Sequence, residues 1–306
     1  MCTVDYEKAF DSIEHGFLWQ SLLEQGVAAS YVNLLATMYS GQSGKVSGGG
    51  VMSREYSIQR GTKQGDPMSP VLFNAALGKI MEPLQHRWQA KGWGADVYNQ
   101  DGRRLTNLRF ADDILIIASS KRQLQQMIDD LVTAAGEAGL SMHMGKTKVL
   151  SNDPANRGGK LKLEKGTAEI ISFAGSTAYL GKLLSCQGMH DVELSARLEK
   201  AWKKFFALKA DLCGRHVSLQ ARLKLFNASV SSTALYGSGT WTMTAEREKK
   251  LRTTQRRMLR WMLGSHWRWP REESSTSSNS SDTEVAEPEE TEADVNGTTE
   301  KQQEES

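Results

Sequence analysis

Two adjacent carboxylates, Asp112 and Asp113, stand between apolar, β-branched runs at residues 105–110 and 114–119. The pattern predicts a hairpin with acids at its tip, without the glycine or asparagine that a purely structural tight turn favours. Neighbouring acids repel, and holding them at the end of buried strands is costly unless a cation sits beside them. Mg²⁺ suits the place because it takes hard oxygen ligands and keeps positions for phosphate oxygens. Taken alone, the same two residues also fit an exposed polar turn. Asp5 supplies a third carboxylate, closing a short strand over residues 3–5 and preceding a polar turn that carries Phe10. Three converging strand-end acids would hold two metal ions about 3.5–4 Å apart, a spacing that stabilises the attacking and leaving oxygens of an in-line phosphoryl displacement. Arg60, Gly61, Gln64 and Gly65 belong to a loop over residues 60–70. Its glycines allow close backbone approach to a ligand, and the helix start that follows favours anions.

Positioning these groups needs a scaffold, and hydrophobic periodicity outlines one. Helices are predicted at residues 17–24 and 30–39, stopped by Gly26 and Gly41, and at 69–90, where Pro70 costs no amide donor. Gly48, Gly49 and Gly50 separate extended pieces at 45–47 and 54–59. In 121–138 the apolar residues Leu124, Met127, Ile128, Leu131, Val132 and Ala135 recur at helical spacing until Gly139. Strands are predicted at 146–150, 160–163, 168–173 and 179–184, followed by three helical segments over 192–263 broken near Gly214 and Gly237. Intermixed strands and helices, then helices only, predict an α+β domain followed by a helical one.

Composition narrows the function classes. A chain of 306 residues, 39% of them hydrophobic, has room for two domains. Its longest apolar runs fall far short of the roughly 20 residues of a membrane-spanning helix, so no membrane partner is expected. Cys2, Cys186 and Cys213 are too scattered for a disulfide framework or a metal clip, which fits a reducing compartment, and the first residues lack a secretory pattern. The net charge of +2 hides an asymmetry, because residues 272–306 carry −11 and the rest +13. Nearly all of that excess lies within 197–268, as expected of a surface facing a polyanion. Arg252, Arg256 and Arg260 recur every four residues and would line one helix face, beside a second basic group at Lys203 and Lys204; such spacing can follow a phosphate backbone. The tryptophans nearby could stack on bases, but helical spacing favours a core role. The acidic, Ser-rich end has the composition of a disordered tail.

These residues resemble the reverse transcriptases of non-LTR (LINE-type) retrotransposons. Asp5 with Ala9, Phe10 and Asp11 looks like motif A, residues 60–70 like motif B, and Phe110, Ala111, Asp112 and Asp113 like motif C. Gly139 and Leu140 with Lys146 and Thr147 look like motif D, and Tyr179, Leu180 and Gly181 like the primer-grip motif E. Leu235, Tyr236 and Gly237, with Trp241, Gln255, Arg256 and Arg257, are similar to the family's thumb. The resemblance covers about residues 3–267. It implies an α+β fold: a polymerase palm, an antiparallel sheet with packed helices, over 1–185. An all-helical, basic thumb-like domain over 186–270 and a disordered acidic tail over 271–306 complete it. It also implies RNA-directed DNA synthesis with two Mg²⁺ ions held by Asp5, Asp112 and Asp113, on an RNA template and DNA primer with deoxynucleoside triphosphates. Phe10 would be a steric gate against a 2′-hydroxyl. Gln64, Gly65 and Arg60 would contact nucleotide and template, and Lys146 would assist the leaving pyrophosphate. Tyr179, Gly181, Lys203, Lys204, Arg252, Arg256 and Arg260 would contact nucleic acid.

Two departures qualify this expectation. The chain starts at the strand bearing Asp5, without the family's upstream fingers or an endonuclease domain, so a weak or inactive polymerase is expected when positioning is lost. His143 stands where the family often has Asn. The alternative reading is a non-catalytic nucleic-acid-binding remnant of a retroelement. An RNA-making polymerase shares the acids, but Phe10 argues against it because that product needs space for the 2′-hydroxyl.

Overall fold

The middle of the molecule is a six-stranded sheet, seen in a computed structural model that describes residues 1–97 and 102–264. Its organising strand is β1 (Cys2–Val4), fully buried and flanked on both sides. One neighbour is β9 (Asp113–Ile116), antiparallel with Val4 opposite Ile114; the other is β10 (Lys148–Leu150), antiparallel with Cys2 opposite Val149. β8 (Asn107–Phe110) pairs with β9 at one edge. At the other edge β12 (Gly166–Ile171) lies parallel to β10 and antiparallel to β11 (Gly159–Leu163). The sheet is thus antiparallel except at one pair. The exception arises because the chain leaves β10, runs back through the outermost strand β11, and returns as β12 beside β10.

Helices before and between these strands build the rest of the layer. α1 (Ala9–Ser12), α2 (His15–Glu24) and α3 (Ala29–Tyr39) follow β1. Two nested hairpins then centre on Gly49 and Gly50: β2 (Ser43–Gly44) pairs with β5 (Tyr56–Ser57), and β3 (Ser47–Gly48) with β4 (Val51–Met52). α4 (Ser69–Ala90) has Pro70 in its first turn, as its sequence predicts, and tolerates Pro83 in its interior. β6 (Ala95–Asp96) and β7 (Arg104–Leu105) form a short pair ahead of β8. α5 (Lys121–Glu137) buries all six of its predicted apolar positions, and its Ser120 cap accepts from the Gln123 amide. α4 and α5 pack together, and Trp88, fully buried, donates its indole N–H to Asp130 Oδ2 at 2.9 Å. One apolar cluster joins β1, β9, α2, α4 and α5.

The predicted single strand over 179–184 is two strands, β13 (Ser176–Tyr179) and β14 (Lys182–Ser185), paired as a hairpin. Its turn has positive φ at both Leu180 (49°) and Gly181 (74°). A leucine there hides the turn, because local sequence rules look for Gly, Asn or Asp.

The remaining chain is helical: α6 (Met189–Ala207), α7 (Lys209–Cys213), α8 (Leu219–Leu225), a π-helical turn at Phe226–Ser231, α9 (Ser232–Leu235), a 3₁₀ turn at Ser238–Thr240, and α10 (Ala245–Leu263). Breaks occur at Gly214 and Gly237, and the three predicted segments are subdivided further at Leu208 and through the π turn. A second cluster, with Phe205, Phe226 and Met258 at its centre, is separate from the first. Trp202 and Trp261 lean on it, each with a ring contact to Phe206, rather than standing free. Trp267, Trp269 and the acidic tail lie outside the described residues.

Candidate active site and nucleic-acid interface

Because β1 lies between β9 and β10, residues far apart in sequence meet at its end. Asp5 follows the last residue of β1, while Asp113 opens β9, pairing with Phe110 across the Ala111–Asp112 loop. Neighbouring strands stand about 4.8 Å apart, so these acids share one edge of the sheet. Asp113 responds to that company. Burial first, then the charges of Asp112 and Asp5, push its carboxyl above the ordinary carboxylate range. Ala111 has φ 51°, so the loop presenting the acids is a strained one for a residue with a Cβ.

From the other side, β10 brings in Lys146, whose ammonium lies 3.4 Å from Asp5 Oδ2. That oxygen is buried and accepts no hydrogen bond; the lysine neutralises it at a distance without satisfying it. The His143 amide anchors the Asp5 carbonyl at 2.8 Å. Tyr179 also reaches this edge, its hydroxyl 3.5 Å from the Leu108 carbonyl. Burial and then the Asp113 charge raise its pKa.

Among the described residues no three His, Cys, Asp or Glu side chains are gathered closely enough to enclose a metal by themselves. The donor chemistry nevertheless fits Mg²⁺, which binds through one or two carboxylates and completes its shell with water and phosphate oxygens. The unsatisfied Asp5 oxygen is the open acceptor such an ion would use.

A second grouping forms where the 60–70 loop docks on α1. The Gly61 and Thr62 amides donate to the Ile13 and Phe10 carbonyls at 2.7 and 2.6 Å. A Cβ on Gly61 (φ 88°) would meet the Asp11 carbonyl oxygen at 2.6 Å, so only glycine allows this approach. Gln64 Nε2 lies 3.4 Å from both Asp11 carboxylate oxygens. Arg60, Gln64 and Asp11 line an open cleft of about 590 Å³; Gly65 has positive φ and open space around it. Asp11 is the polar partner that sequence reasoning placed within a motif without assigning it a role. Phe10 is half-buried, its ring 4.6 Å from that of Phe73 in α4.

The predicted basic residues do not join either grouping. Lys203 and Lys204 lie exposed on α6, and Arg252, Arg256 and Arg260 exposed on α10. Lys203 and Arg252 are paired at 2.6 Å with Glu199 and Glu248 of their own helices. Gly181 acts through its backbone, accepting from Arg197. No helix among the described residues is long and apolar enough to cross a membrane.

A sheet carrying acids at a hairpin tip beside its central strand, backed by two long helices, is of the polymerase palm class, and a helical portion follows it. Residues 1–182 match the family described as reverse transcriptase (RNA-dependent DNA polymerase), and the chain belongs to that family. Its relatives are of the non-LTR type. It is 31% identical over 179 residues to the retrovirus-related Pol polyprotein from type-2 retrotransposable element R2DM of Drosophila melanogaster, covering 56% of this chain and 16% of the relative. It is 26% identical over 200 residues to the type-1 element R2 polyprotein of Nasonia vitripennis, covering 63% of this chain and 19% of that one. The chain therefore spans less than a fifth of the length of either polyprotein. A telomerase from Candida tropicalis, solved in complex with a telomeric RNA fragment, is similar at 14% identity and a TM-score of 0.40 over 85% of this chain and 43% of that one.

Proposed function

We propose that this chain carries the RNA-directed DNA polymerase activity of a non-LTR retroelement protein, with its palm over residues 1–185 and a nucleic-acid-gripping thumb over 186–270. The observation that supports the reading is strand placement: Asp5 directly follows β1 and Asp113 opens β9, the strand paired beside it, so acids more than a hundred positions apart in the chain share one sheet edge. Asp5, Asp112 and Asp113 would hold two Mg²⁺ ions, which supply activation of the primer's 3′-hydroxyl and neutralise charge on the leaving pyrophosphate.

The chain's own groups do the positioning. Lys146, an exposed ammonium beside Asp5, is placed to meet the negative charge of the departing pyrophosphate. Phe10, held by Phe73, closes the space that a ribonucleotide's 2′-hydroxyl would need. Gln64 and Arg60 offer donors in the cleft at Asp11, with Gly65 leaving the backbone open to nucleotide and template. Exposed arginines on α10 and lysines on α6 supply affinity for the phosphates of an RNA template and DNA primer without reading sequence.

Primer extension on an RNA template with Mg²⁺ tests this. Deoxynucleotide incorporation that disappears in Asp112→Asn supports the polymerase. Salt-sensitive binding of the same template–primer without incorporation would instead identify a nucleic-acid-binding remnant.

A further inference from the structure

Helix α6 contains an ion pair almost removed from water, with the Arg197 and Glu193 side chains 7% and 3% exposed. Arg197 Nε donates to Glu193 Oε1 at 2.6 Å, and Glu193 Oε2 accepts the Leu183 amide at 2.6 Å. A terminal Arg197 nitrogen donates to the Gly181 carbonyl. The guanidinium lies 4.4 Å from the centre of the Tyr236 ring, and the Tyr236 hydroxyl donates to the Leu180 carbonyl at 3.0 Å.

Apolar residues of similar volume often stabilise a buried position as well as an ion pair does. What this pair does and apolar residues could not is bind two main-chain groups of one hairpin, the Gly181 carbonyl in its turn and the Leu183 amide just after it. The turn needs holding from outside, because Leu180 and Gly181 are consecutive left-handed residues and Leu180 carries a Cβ that disfavours the conformation. A Cβ on Gly181 would sit 3.4 Å from the Tyr236 hydroxyl, so the tyrosine lies in van der Waals reach of the turn. Tyr179, immediately before it, lies against the β8–β9 hairpin that bears Asp113.

We infer that Arg197, locked by Glu193 and stacked on Tyr236, is a positioning residue. It holds the Tyr179–Gly181 turn against the hairpin carrying Asp113, and so sets where the 3′ end of a bound primer lies relative to that acid. The inference rests on the polymerase reading for its consequence, but not for the clamp itself.

Hydrogen exchange and single-nucleotide extension on the full chain test the two parts. In Arg197→Met, amide exchange at residues 180–183 accelerates about tenfold or more while α5 keeps its protection. Tyr236→Phe, which removes one hydrogen bond and leaves the stack, gives a smaller increase at the same amides. In extension assays, Arg197→Met lowers kcat about tenfold with nucleotide KM and template–primer Kd within about twofold, and Arg197→Lys recovers part of the loss. Unchanged exchange at 180–183 in both variants, or a loss confined to template–primer affinity, overturns the assignment. If Arg197→Met fails to fold, Tyr236→Phe and Glu193→Gln carry the same measurements. Absence of nucleotide addition by the parent chain would refute the polymerase reading, whereas the exchange comparison still decides whether the clamp exists.

Discussion

The Lys146 ammonium stands 3.4 Å from Asp5 Oδ2, an oxygen that is buried and without a hydrogen bond. A lysine therefore serves as the countercharge to Asp5 at the sheet edge that also bears Asp113. It opposes any other cation seeking the same oxygen, while its exposure leaves it free to turn toward a phosphate. Lys146→Met is expected to bind Mn²⁺ several-fold more tightly, by calorimetric titration, and to add nucleotides about a hundredfold more slowly. Unchanged cation affinity would show that the lysine does not compete there.

Asp113 provides a pH signature in metal-free buffer. Its carboxyl pKa is raised, chiefly by burial and then by Asp112 and Asp5, so the folded state holds this proton more tightly than the unfolded chain does. The associated stability is fully present below the unfolded value near 3.8 and is lost as pH rises through the raised value. Asp113→Asn should accordingly melt higher than the parent at pH 7, with the gain shrinking as pH falls toward 3.8. Melting curves across that range check the sign, and a destabilised variant at neutral pH would contradict it.

Gly61 and Gly65 both have φ 88°, yet their surroundings differ. Gly61→Ala forces a Cβ against the Asp11 backbone, whereas Gly65→Ala meets open space. The first substitution should cost about 2–4 kcal/mol in denaturant unfolding and the second only about 1–2 kcal/mol of backbone strain. Equal costs would mean that the loop does not dock on α1 as described.

Phe10→Val should relax discrimination against ribonucleotides, read as the ratio of kcat/KM for a deoxynucleotide and its ribo counterpart. Because the ring packs on Phe73, the change also costs about 1–3 kcal/mol of stability. Phe73→Leu disturbs the packing without opening the same space, so it separates the two effects.

On α10, neutralising Arg256 or Arg260 to Gln should weaken nucleic-acid binding equally across sequences and lower the salt slope by about one for each phosphate contact removed. Arg252→Gln should change less, since Glu248 already holds that guanidinium at 2.6 Å. Fluorescence anisotropy at several salt concentrations measures both.

Much of this architecture was legible along the chain, wherever the determinant is local. The apolar spacing of α5, the Pro-opened α4, the glycine stops at Gly41, Gly139, Gly214 and Gly237, and the acid-tipped hairpin follow from periodicity and backbone preference acting over a few residues. The β13–β14 turn escaped because Leu180 adopts positive φ only under restraint from Tyr236 and Arg197, which lie outside its neighbourhood. The π turn in the helical portion likewise has no local signature.

Residue types and order by themselves determined the family pattern, the elements and which acids could act. Tertiary structure alone decided that β1 enters between β9 and β10, that Lys146 pairs with Asp5, that Gln64 meets Asp11, and that a buried arginine bonds the turn beside Tyr179. The physical reason is range. Helical periodicity and glycine's freedom operate between near neighbours, whereas strand order and charge pairing emerge only once one buried register has closed the sheet around a common core.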